Sequence, residues 1–124
     1  MFQDLRLFPN LTAYENVEIV SQQTRFRTKE SIRALFEQLG IADKWDSPAR
    51  LLSWGQQQRV AFVRALSQPC SFLLMDEPIS HLDDVNARVM AEIVTKEQAE
   101  RQFGIIATSL GKTLPINYHQ TIQL

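Results

Sequence analysis

The stretch Ser71-Phe72-Leu73-Leu74-Met75-Asp76-Glu77-Pro78 decides how this chain is read. Its apolar run is short, which favours a buried strand over a helix. Two acids follow the strand directly. Further on, Ser80-His81-Leu82-Asp83 reads as a helix cap. The spacing predicts a long helix from there to about Phe103, with Gly104 as its stop. Ile105 to Thr108 is a second strand candidate, and Thr121 to Leu124 a weaker third. Strand, helix, strand predicts a parallel α/β sheet. In open sheets of that kind the ligand sits beyond the carboxyl ends of the strands. Asp76 and Glu77 fall at that end. An aspartate there can hold Mg²⁺, which prefers oxygen ligands and keeps several waters. Glu77 can orient or deprotonate an attacking water. Alone, the two acids fit a plain acidic turn equally well.

Working outward toward the N-terminus, Ser53-Trp54-Gly55-Gln56 is a capping box that predicts a helix to about Gln68. Val60, Val63 and Leu66 lie close to one face of it. A helix start offers unpaired N–H groups and partial positive charge, which suits phosphate, and Gly55 would let a backbone come close. A simple cap on a core helix satisfies the same residues. Ser47-Pro48 reads as a cap with proline at the first helical position. Ile32, Leu35, Phe36 and Leu39 make one apolar stripe and predict a helix over 29–39 closed by Gly40. Pro9-Asn10 marks a turn, and Thr12-Ala13-Tyr14-Glu15 is a further capping box. Arg25, Arg27 and Lys29 read as a solvated basic loop. The first half is therefore helical and should pack as a lobe.

Composition narrows the class. The chain has 124 residues, 44% apolar and 22% charged, with a net charge of −1. This is the balance of a globular domain and not of a disordered tail. Charge so near zero predicts no broad attraction to nucleic acid or anionic lipid. No apolar run is long enough to span a bilayer, and Asp4 and Arg6 interrupt any signal-peptide pattern. The single cysteine, Cys70, excludes an internal disulfide and reads as core packing. Trp45 reads as core or rim of the helical lobe.

The order of these motifs carries more than any one of them. Phe2 to Val17, with Gln3 near its start, resembles the Q-loop and following segment of ATP-binding cassette (ABC) ATPases. Leu52 to Arg59 resembles their signature motif. Phe72 to Glu77 resembles Walker B with its catalytic glutamate, and Ser80 to Asp83 resembles the D-loop. The resemblance runs over nearly all of the chain. It implies a partial P-loop NTPase fold, α/β in class. Residues 1–20 would be the Q-loop and the start of the helical lobe. Residues 21–68 would be the helical subdomain, and 69–124 the C-terminal part of the sheet core.

The resemblance also implies roles. ATP and Mg²⁺ would be the ligands, with Asp76 and Gln3 toward the metal. Glu77 would be the general base, with Gln3 also beside the attacking water. Ser53, Gly55 and Gln56 would face nucleotide held by a second cassette in a head-to-tail dimer, and Asp83 would cross that interface. A transmembrane permease subunit would be the other partner. The chain would thus lie at the cytoplasmic face of a membrane without entering it, and without nucleic acid as a partner.

Three departures qualify this. No phosphate loop of the form G-x-x-x-x-G-K-S/T is present. The chain is therefore expected to be the back part of a longer cassette, not active alone. An alternative is a non-catalytic module that lends its signature motif to a partner, or an inert fragment. Gly111-Lys112-Thr113 mimics the end of a phosphate loop, but Ile106 stands where its first glycine should be. Ser109 occupies the position of the family's switch histidine, which a serine cannot replace as a charge donor. His81 is a weak candidate for that role, and His119 reads as a surface residue. Trp54 replaces a small residue inside the signature. It could pack within its own lobe or on a partner.

Overall fold

The structure is a computed structural model that describes Met1 and residues 5–123. Among the described residues, four α-helices and two strands follow one another in the order helix, helix, helix, strand, helix, strand. The first helix, α1 (Ala13–Thr24), starts on the capping box the sequence predicts. Thr12 Oγ1 accepts from the Glu15 amide at 3.1 Å, and Glu15 Oε1 accepts from the Thr12 amide at 2.9 Å. Asn16, one turn in, is buried and pins the preceding turn. Its Oδ1 accepts from the Phe8 amide, and its Nδ2 donates to the Phe8, Leu11 and Thr12 carbonyls. Helix α2 (Lys29–Gln38) turns Ile32, Leu35 and Phe36 inward. Gly40 follows at φ +70°, a conformation that favours glycine.

Two 3-10 turns, Ala42–Lys44 and Ala49–Leu51, occupy the next stretch. Pro48 precedes the second turn and does not open an α-helix, contrary to expectation. The chain there is pinned against Thr12, and the Ala49 amide donates to the Leu11 carbonyl. Helix α3 (Trp54–Leu66) begins on the Ser53 box and ends before Gln68. The Leu66 carbonyl, orphaned at that end, accepts from both Arg27 and Arg101.

Strand β1 (Phe72–Asp76), helix α4 (Asp84–Arg101) and strand β2 (Gly104–Thr108) form the expected unit. The strands are parallel, with Phe72 opposite Gly104 and Asp76 opposite Thr108. Two boundaries differ from expectation. Asp83, not Ser80, caps α4, its side chain accepting from the Asn86 amide at 2.8 Å. Gln102, at φ +56°, closes the helix, while Gly104 opens β2. The Gln102 amide donates to the Gln98 carbonyl, so the turn is complete before the glycine is reached. Residues 121–123 form no strand, and Leu124 lies outside the described residues.

One apolar cluster runs through the helices and onto the sheet. It joins Val17, Phe36, Phe62 and Val63 to Leu73, Met75, Met90 and Val94. Burial of Phe36 and Phe62, both inaccessible, contributes about 1.5–3 kcal/mol each. The apolar run of β1 predicts a buried strand, yet only Leu73 and Met75 face the core. Phe72, Leu74 and Ile106 are exposed at 61%, 57% and 53%. A continuous apolar run implies cover on both faces, and among the described residues only one face has it.

Candidate functional site

Three pieces of chain meet at the carboxyl end of β1: the start of α3, the loop 77–83, and the segment after β2. Ser53 caps α3 by accepting from the Gln56 amide at 3.1 Å, and Gln56 Oε1 accepts from the Ser53 amide at 2.9 Å. Ser53 is exposed, so its hydroxyl proton remains available to a ligand at the helix start. Gly55 packs against the loop: a Cβ there would stand 2.7 Å from the His81 carbonyl oxygen. The close approach expected of this glycine is therefore made by the protein's own backbone. Trp54 is 40% exposed and meets the His81 ring edge-on at 5.5 Å. It packs within the chain while keeping a free face.

Asp76 is exposed at the strand end, and its Oδ1 accepts from Thr108 Oγ1 at 2.7 Å. Glu77 leaves the strand at φ +50°. For a non-glycine residue this left-handed conformation costs about 1–2 kcal/mol and needs support from its surroundings. The support is visible. The Glu77 amide donates to the Thr108 carbonyl at 2.9 Å, and its carbonyl accepts from Gln58 Nε2 at 3.2 Å. Its carboxylate accepts from the Leu110 amide. Asp76 and Glu77 thereby point to different neighbours. Asp83, exposed, spends one carboxylate oxygen on the cap of α4.

Among the described residues, no cluster of three or more acids, histidines or cysteines could enclose a metal ion. One accessible carboxylate, Asp76, fits a Mg²⁺ ion that draws its other ligands from phosphate and water. Lys112 of the phosphate-loop mimic is engaged elsewhere. It donates to the Leu82 carbonyl at 3.2 Å and pairs with Asp84 at 2.9 Å. That hydrogen bond holds the Asp84 carboxyl below the usual aspartate range.

Gln3 lies outside the described residues. The segment just after it is anchored to α3: Arg64 donates to the Leu5 carbonyl at 2.6 Å and to the Arg6 carbonyl at 2.9 Å. Burial lowers the pKa of the Arg64 guanidinium. Two residues escaped the sequence reading. Gln58, inside the signature run, is buried and bonded throughout. Arg27, expected in a solvated loop, is largely buried and paired with Glu97. Nothing in a run of glutamines or a cluster of arginines marks which member folds inward.

With this geometry in view, comparison with known proteins is direct. The family model for the ABC transporter matches residues 1–80. The chain belongs to the ABC transporter family. It is 36% identical over 122 residues to an uncharacterized ABC transporter ATP-binding protein of Thermotoga maritima, covering 96% of this chain and 48% of that protein. It is 32% identical to the phosphate import ATP-binding protein PstB of Saccharolobus solfataricus, covering 86% of this chain and 45% of the relative. The chain thus spans less than half the length of both of these relatives. Among solved structures, the RNase-L Inhibitor superposes with a TM-score of 0.67 at 22% identity, over 82% of this chain and 20% of that one. At that identity the likeness concerns the fold, which is the helical and parallel-strand part of an ABC ATPase. No described helix is long and apolar enough to cross a membrane.

Proposed function

We propose that this chain contributes the signature helix and the acidic strand end of an ATP-hydrolysing ABC subunit that drives transport through a permease. The observation that carries this reading is the junction of the Ser53–Gly55 helix start, Asp76 and Glu77 through one loop. Ser53 and the first amides of α3 would hold the γ-phosphate of ATP bound on a second cassette. Mg²⁺, held on this side by Asp76, would neutralise charge on the phosphates. Glu77 would take a proton from water as the water oxygen bonds to the γ-phosphorus and the bond to the ADP oxygen breaks. Gln3 would orient that water, and Asp83 would reach the partner cassette. The helical lobe, residues 21–68, together with the segment after Gln3, would touch the permease at the cytoplasmic face.

The sequence supplies no phosphate loop of its own. The test therefore supplies that loop from an intact cassette. The chain is mixed with an intact cassette and Mg-ATP, and phosphate release is measured. We expect turnover above that of either component, reduced in Ser53→Ala; with this chain joined behind a phosphate-loop half to make one cassette, Glu77→Gln should lower turnover about 100-fold or more. No increment, an increment insensitive to Ser53→Ala, or full turnover in Glu77→Gln overturns the proposal.

A further inference from the structure

We propose that Gln58 is a positioning residue that fixes the Glu77 loop to the start of α3, so that the phosphate-facing helix and the base move as one unit. This rests on the reading of Glu77 as the base. Gln58 is 1% exposed and sits one turn into α3. Its Nε2 donates to the Glu77 carbonyl at 3.2 Å and to Ser80 Oγ at 2.9 Å. Its Oε1 accepts from the His81 amide at 3.2 Å. One side-chain amide thus serves three groups of a single loop, at both ends of its polar face.

Other restraints act beside it: Pro78 and Ile79 are buried, the Leu82 carbonyl accepts from Lys112, and the Trp54 ring meets His81. Leu82 is buried and its amide donates to the Ile79 carbonyl, but Ser80 and His81 are exposed. The Ser80 amide reaches the Glu77 carbonyl only at 3.4 Å. Glu77 itself holds an unfavourable backbone conformation. Its amide side is fixed by β2 through the Thr108 carbonyl, and its carbonyl side is fixed by Gln58. Without Gln58, the Glu77 carbonyl keeps only the long bond from the Ser80 amide, and the Leu110 amide alone must hold the carboxylate against the strain of the backbone. Gly55 makes the arrangement possible, because only a glycine lets the His81 carbonyl approach α3 closely enough for Gln58 to reach.

The test separates positioning from general stability. In Gln58→Met, which keeps the side chain's length but none of its hydrogen bonds, amide exchange is measured along the unmixed chain. We expect exchange to rise about tenfold or more in residues 77–82 and to stay unchanged in α1 and α2. In the joined cassette, kcat should fall about tenfold or more, since small displacements of a reacting group are costly, with the KM for ATP unchanged. Gln58→Glu retains an acceptor for the His81 amide and loses both donors. It should protect the His81 amide and still lower kcat, and it serves if the methionine variant does not fold. Unchanged exchange in 77–82, a uniform rise over the whole chain, or a wild-type kcat overturns the proposal. If Glu77→Gln proves silent, the functional reading fails on its own, and the exchange pattern still decides whether Gln58 holds the loop.

Discussion

At the scale of single residues, the site depends on how closely two backbones approach. Replacing Gly55 by alanine puts a methyl group 2.7 Å from the His81 carbonyl oxygen, and backbone cannot yield as a flexible side chain would. Gly55→Ala should cost about 1–3 kcal/mol of stability by this overpacking, read as a lowered urea midpoint. An unchanged midpoint would mean that the loop yields freely. Ser53, Asp76 and Glu77 were legible in the sequence because each stands at the end of an element, where a cap or a strand stop has a local signature. Gln58 was not. Its burial depends on a loop brought over it by β1 and α4, and no local pattern encodes that arrival. The place of Arg27 depends equally on Glu97, seventy positions away along the chain.

At the scale of elements, the ends matter more than the middles. Helix α3 stops where Arg27 and Arg101 both donate to the Leu66 carbonyl, and Glu97 of α4 lies against both arginines. The three side chains knit α4 to the end of α3 and the loop before α2. Removing the acid leaves Arg27 buried without its partner, and its Nε already has none. Glu97→Ala should therefore cost about 3 kcal/mol or more, as for other broken buried pairs. Glu97→Ala with Arg27→Met should cost less than that single change. A negligible loss in Glu97→Ala, measured by chemical denaturation, would show the pair to be idle. The helices were predictable to within a few residues from their caps. The closure of α4 was not, because Gln102 takes the left-handed position ahead of the glycine that advertises it.

For the whole molecule, the sheet leaves one question to solution behaviour. Phe72, Leu74 and Ile106 form an apolar strip on the face opposite the helices that is exposed among the described residues. Such a strip favours association. Sedimentation of this chain should show concentration-dependent self-association, weakened by Leu74→Lys. A monomer at every concentration would count against it. The parallel pairing of β1 and β2 was legible from the strand, helix, strand order. Which face would be covered was not, since an apolar run carries no label for sides.

The contact between Trp54 and His81 has an optical consequence. The chain has only two tryptophans. Trp45 is 8% exposed and stacks on Tyr14 at 4.2 Å, whereas Trp54 is 40% exposed and lies against the loop that leads to α4. A dissolved quencher therefore reaches one indole and leaves the other dark to it. The emission of Trp54 becomes a built-in gauge of that loop's position, readable without a dye as nucleotide or a second cassette is added.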